Sequence, residues 1–117
     1  MKTSLRIIDD HGVKYQALMF VCPGCDRDGH GGLHMLPVNT KDKSPSWSFD
    51  GNVHRPTLSP SILTKTERTS GLFICHSFLR DGVFEFLNDS THHLAGQKVP
   101  IPDLYEWVKR EDPASET

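Results

Sequence analysis

Cys22 and Cys25 form a Cys-Pro-Gly-Cys pair, and the third cysteine of the chain, Cys75, stands in an apolar run beside His76. Two cysteines separated by two residues can turn both sulfurs to one ion, and Pro23 and Gly24 favour the tight reversal that faces backbone N–H groups toward the thiolates. Zn²⁺ is the ion such sulfurs suit. A structural zinc takes four protein ligands and a catalytic one usually three plus water, so three cysteines must recruit histidine, carboxylate or water. A thioredoxin-like redox pair would open a helix after a strand, whereas glycines and charges follow Cys25. Cys75 taken alone reads as a small buried hydrophobe.

The fourth ligand has several candidates among the histidines. His92 follows the strand of Cys75 by a connector long enough to fold back beside it, and is the first choice. His34 is the nearest rival, because its strand would run antiparallel to the one ending at Cys22. His76 and His93 come after them. A liganding imidazole would meet an acceptor such as Asp89 through its second nitrogen.

The elements that must position these residues are short. Eight prolines and nine glycines cut the chain into pieces that suit strands and turns, and 117 residues are enough for one modest core. Residues 4–8 predict a first strand, ended by Asp9-Asp10-His11-Gly12. A second starts near Lys14 and is apolar at every position from Ala17 to Val21, as an interior strand would be. Residues 26–32 read as a glycine-rich, charged loop. Leu33 to Val38 resumes as a strand with His34, Leu36 and Val38 on one face, and Pro37 marks it as an edge or a strand end. Trp47 and Phe49 share a face of another short strand. Arg55 to Ser61, with two prolines, reads as an ordered loop, and charged residues 65–69 as a return through solvent.

The clearest hairpin lies between Leu72 and Leu87, turning at Asp81-Gly82, a pair suited to a type I′ turn. Arg80 then faces Val83, Leu79 faces Phe84, Phe78 faces Glu85 and His76 faces Leu87. Period two puts Cys75 and His76 on opposite faces, so the two cannot both reach one metal along a regular strand. Residues 88–96 form a polar connector in which Asp89 or Ser90 accepts from free backbone N–H groups. Pro102-Asp103 opens a final helix with Leu104, Tyr105 and Val108 as its apolar stripe and Trp107 beside it. The expected class is α+β: one mainly antiparallel β domain over residues 1–110 with a zinc knuckle and one C-terminal helix, then a tail at 111–117.

The linked runs Cys-Pro-Gly-Cys, Gly-Leu-His, Trp-Ser-Phe-Asp-Gly-Asn, Arg-Pro-Thr-Leu-Ser-Pro-Ser-Ile and Cys-His-Ser-Phe-Leu-Arg-Asp-Gly resemble a family of small phage and prophage proteins of unknown function. The resemblance covers residues 18–103. Its pattern has cysteines at Cys22, Cys25 and Cys75 and histidines at His34, His76 and His92, often with a further cysteine where this chain has Ser90 and a small residue at His93. Serine is a poor zinc ligand, so that family cysteine is dispensable to the site or another group replaces it here. The resemblance implies a cytoplasmic phage product in an infected or lysogenic bacterial host. The ammonia monooxygenase label often attached to the family does not fit a chain this short, since that is a membrane copper activity.

Charge narrows the function. Thirteen basic and fifteen acidic residues, mixed along the chain, leave no broad basic face for nucleic acid, and no window is apolar for long enough to span a bilayer. The leading expectation is a structural-zinc binding module that modulates a host or phage protein, with Trp47, Phe49, Arg55 and Trp107 as contact residues. The alternative is a zinc-dependent hydrolase built from surplus histidines with Asp89, Glu85 or Asp50. No catalytic signature orders those groups.

Overall fold

Alternation of apolar and polar residues decides most of the architecture. The computed structural model describes residues 1–27 and 30–111, and its elements are β1 (Ser4–Asp10), β2 (Val13–Arg27), β3 (His30–Pro37), β4 (Ser48–Phe49), β5 (Leu58–Arg68), β6 (Gly71–Arg80), β7 (Val83–Phe86), β8 (Lys98–Pro100) and α1 (Leu104–Glu111). A three-stranded sheet, β1-β2-β3, packs on a five-stranded sheet, β4-β5-β6-β7-β8, and all the strand pairs are antiparallel. Mainly antiparallel β with one short helix is the expected class.

The core lies between the sheets. Leu18, Phe20 and Cys22 from β2 meet Leu58 and Ile62 from β5, Phe73, Cys75 and Leu79 from β6, and Phe84 and Phe86 from β7. Phe20 and Phe84 are fully buried with ring centroids 6.0 Å apart. Each such side chain stabilises the fold by about 1.5–3 kcal/mol through burial. β2 is covered on its other face too, where Val21 packs with Leu104 and Trp107. That double cover explains its unbroken apolar run.

Four expectations need correction. Residues 26–32 are not simply a loop: the β2–β3 ladder resumes beyond the cysteines, with Asp26 opposite Gly31 and Arg27 opposite His30. Residues 58–68 are a long strand rather than a loop and a solvent return, because β6 offers a complete ladder from Gly71 to Ser77 that outweighs the local charge. The buried stripe of α1 is Leu104 and Trp107, while Tyr105 and Val108 are exposed, since only the first pair faces Val21. Trp107 is therefore core, as is Phe49, and Trp47 packs partly buried against the same core. Of the expected contact residues only Arg55 is exposed, ion-paired to Asp81 at 2.7 Å. The tail expected at 111–117 lies outside the described residues apart from Glu111, which ends α1.

The hairpin agrees with its expected register: Arg80 pairs with Val83, Leu79 with Phe84 and Phe78 with Glu85. The Leu87 N–H donates to the His76 carbonyl at 2.8 Å, which extends it by one pair. Phe84→Ala, at the centre of this core, is expected to lower unfolding free energy by about 3–5 kcal/mol. Urea denaturation followed by tryptophan fluorescence measures it.

Candidate active site and metal centre

Strand β6 carries the chemistry on both of its faces. Phe73, Cys75, Ser77 and Leu79 point into the core and are buried, while Ile74, His76 and Phe78 alternate with them on the outer face.

On the inner side, the thiols of Cys22, Cys25 and Cys75 are free and buried. Cys22 Sγ lies 3.6 Å from Cys75 Sγ. The ligand atoms of Cys22, Cys25 and His34 all fall within 4.8 Å of one another. Phe20 pairs directly with His34 across β2–β3, their rings stacked at 5.5 Å, and the register shift between Val21 and Asp26 bends the cysteine segment back over that histidine. Hydrogen bonds from Cys22 and Cys75, then from His34, hold the Cys25 thiol far below its ordinary range. The Cys22 thiol is pushed up to about 12, first by its hydrogen bond with Cys25, and Cys75 is pushed up by its contacts with Cys22 and Cys25. Three buried thiols packed this closely cannot all ionise without a cation beside them. Three sulfurs and an imidazole form the soft donor set that a tetrahedral Zn²⁺ takes, so the residues present fit a metal ion.

His92, the first choice for the fourth ligand, occupies a different position. Its Nε2 is buried without a hydrogen-bond partner and lies where a Cβ on Gly24 would meet it at 2.5 Å, with Phe86 edge-on at 4.8 Å. Burial lowers its pKa. His92 and His93 line a cleft of about 510 Å³ with Arg68, Phe73 and Thr91. Gly24 is thus required for close approach, and His92 packs against it while His34 lies beside Cys22 and Cys25, a segment that continues strand β2 rather than reversing as a knuckle.

On the outer side, His76 Nδ1 lies 3.0 Å from Asp89 Oδ2 and 3.2 Å from Oδ1, and His76 Nε2 lies 3.1 Å from Ser61 Oγ. A carboxylate only accepts, so Nδ1 carries the proton toward Asp89, and in that tautomer Nε2 is the nitrogen open to accept from the Ser61 hydroxyl. This is the geometry of a Ser–His–Asp hydrolytic triad. Ser61 is brought there by a bulge: Leu58 pairs with Leu79 and Ile62 with Ser77, leaving three residues of β5 opposite Phe78 alone. Bulges re-aim side chains in this way. The Trp47 indole N–H donates to the Ser61 carbonyl at 3.3 Å. Beneath it, Asp50 and Asn52 cap the backbone of residues 52–57, and Thr57 Oγ1 accepts from the Asp81 N–H at 2.8 Å. The Trp-Ser-Phe-Asp-Gly-Asn and Arg-Pro-Thr-Leu-Ser-Pro-Ser runs therefore fix the base of the strand that bears Ser61.

The connector after β7 does the same for His76. Ser90, buried, accepts from the His76 N–H at 3.0 Å and returns its own proton to the His76 carbonyl at 3.2 Å. The Thr91 N–H donates to the Ile74 carbonyl at 2.8 Å, and the Thr91 hydroxyl accepts from the Ile74 N–H at 3.0 Å. Asp89 is thereby held beside the imidazole. Ser90 belongs to this clasp rather than to the thiols, while Glu85 pairs with Arg80 and Lys98, and Asp50 serves as a loop cap. Ser61 is the candidate residue that sequence reasoning missed. The available signal was the alternating Ile-Leu-Thr-Lys-Thr that follows it, which reads as a strand able to face β6.

The fold and site define a class, and one comparison gives a family. The class is that of small β proteins bearing a hydrolytic triad geometry on one sheet face and a metal-competent thiol cluster on the other. The chain belongs to the family described as bacterial ubiquitination-like system serine protease (BubE), whose profile matches residues 2–87. No curated protein and no solved structure gives a significant match. The matched span holds Ser61 and His76, with Asp89 just beyond it, and its description concerns a bacterial ubiquitination-like system rather than a phage. No helix among the described residues is long and apolar enough to cross a membrane.

For the thiol cluster, purified protein is expected to carry about one zinc per chain. Elemental analysis should find it lost in Cys22→Ser, Cys75→Ser and His34→Ala and kept in His92→Ala.

Proposed function

We propose that this chain is a serine peptidase acting on a protein of a bacterial ubiquitination-like system, with Ser61 as nucleophile, His76 as general base and acid, and Asp89 orienting His76. The single observation that carries the proposal is the chain of hydrogen bonds from Asp89 through both ring nitrogens of His76 to Ser61 Oγ. The family description supports peptide-bond hydrolysis as the reaction.

Each proton has a place in that reaction. Ser61 Oγ attacks the scissile carbonyl carbon as His76 Nε2 takes the hydroxyl proton, and the C–O bond of a tetrahedral intermediate forms. The C–N bond then breaks, and His76 gives the proton to the leaving amine. Water repeats the sequence on the acyl ester, with His76 again as base, and returns Ser61. The Asp89 carboxylate keeps Nδ1 protonated and stabilises the imidazolium that forms at each stage. Asp89 retains 55% of its side-chain exposure. Substrate seated over it would remove the water that now competes for its oxygens.

Zn²⁺ held by Cys22, Cys25, Cys75 and His34 would supply charge neutralisation and a cross-link between the sheets. Its ligands lie on the core side of β6, away from the reacting atoms, which favours serine hydrolysis over the zinc-hydrolase alternative. A binding module with aromatic contacts is disfavoured, since Phe49 and Trp107 are spent on the core.

Ser61→Ala and His76→Ala are each expected to lower kcat on the order of 10³-fold or more with unchanged thermal stability. Hydrolysis assays on unfolded protein substrate beside calorimetry measure this. Activity retained in Ser61→Ala would overturn the assignment.

A further inference from the structure

The strand that carries Ser61 lies open on one side. β4 pairs with β5 only at Leu58 and Ser59, and among the described residues no other strand pairs with that edge. The hydrogen-bond pattern of β6 tells which backbone groups point there. His76 gives its N–H to Ser90 and its carbonyl to Leu87, and Ile74 gives both groups to Thr91, so both residues spend their backbone on the side away from β5. Their partners across the ladder, Leu63 and Lys65, therefore sit in non-hydrogen-bonded pairs, and their own N–H and C=O groups point to the free edge. Ser61 follows the same parity: its carbonyl meets the Trp47 indole on that side.

Leu63 adds a side chain to this edge. It lies opposite His76, on the same outer face, and is 54% exposed. Exposed, unpaired strand edges are templates for another strand, and charged Lys65 and Glu67 guard this one against self-association while leaving its backbone free.

We infer that the substrate is an extended, locally unfolded polypeptide segment that adds as a strand to the free edge of β5, its backbone paired with Leu63 and Lys65 and its scissile bond delivered to Ser61. The inference rests on the reading of Ser61 as nucleophile. Main-chain pairing supplies affinity in such strand addition, and alternate side chains supply selectivity, so an apolar substrate residue beside Leu63 is favoured. A folded domain cannot present that segment, which limits cleavage to tails and linkers of a protein partner.

The test uses the full chain, carboxymethylated unfolded casein as substrate and diisopropyl fluorophosphate as a probe too small to need the edge. Lys65→Pro removes an outward N–H without touching the β5–β6 ladder, a setting in which an edge strand tolerates proline. Its rate of diisopropylphosphorylation is expected to match the wild type, while kcat/KM on casein falls about tenfold, chiefly through KM. A second arm leaves the protein intact: a casein-derived peptide cleaved by the wild type is N-methylated at each residue flanking the scissile bond in turn. Strand addition predicts that cleavage is lost at every second position. Unchanged casein kinetics in Lys65→Pro, or equal tolerance of N-methylation along the peptide, would overturn the inference. Wild-type protein that is labelled by diisopropyl fluorophosphate but leaves unfolded casein intact would overturn it while leaving the triad standing. Protein that is neither labelled nor active would remove the triad and the inference together.

Discussion

The two-residue period of β6 is the constraint on which the rest depends. Cys75 must point inward to join Cys22 and Cys25, and that commitment turns His76 outward by sheet geometry alone. A slip of one residue would put the imidazole in the core and the thiol in solvent, destroying both centres at once. The register is held at several points: the Asp81-Gly82 turn, the ladder from Gly71 to Ser77 against β5, and the Ser90 hydroxyl that clasps both backbone groups of His76. Phe73 and Leu79, buried beside Cys75 on the inner face, make the alternative register costly.

Metal and triad are coupled by this arrangement without sharing an atom. The thiol cluster joins β2 of the small sheet to β6 of the large one, so a bound ion would fix the sheet separation at the strand that bears His76. Ser61 enters on β5 through a bulge and Asp89 on the connector after β7, each tied to β6 by its own hydrogen bonds. Three segments distant in sequence thus converge because one strand lies between the other two.

Much of this was legible in the sequence, for reasons that particular residues make plain. Asp81-Gly82 between alternating runs specified the hairpin and its register, and with it the divergence of Cys75 from His76. The apolar run Ala17 to Val21 marked the strand covered on both faces. Which histidine stands nearest the thiols was harder to read, because connector length does not distinguish His92 from His34. Pairing with Phe20 and the approach of His92 to Gly24 are tertiary facts. The triad was hidden most deeply: Ser61 sits in a proline-interrupted bulge that reads locally as loop, and Asp89 in a polar connector, with no motif to join them. The same motif runs that suggested a family turned out to support the strand of the nucleophile.

The account stands or falls on Ser61 as a nucleophile activated by His76. Treating the protein with diisopropyl fluorophosphate and locating the adduct by tandem mass spectrometry tests this most directly. The account predicts a single diisopropylphosphoryl group on Ser61, with fluoride released, absent when His76 is replaced by alanine. An adduct on another serine, or none on a folded, metal-loaded protein, would contradict it.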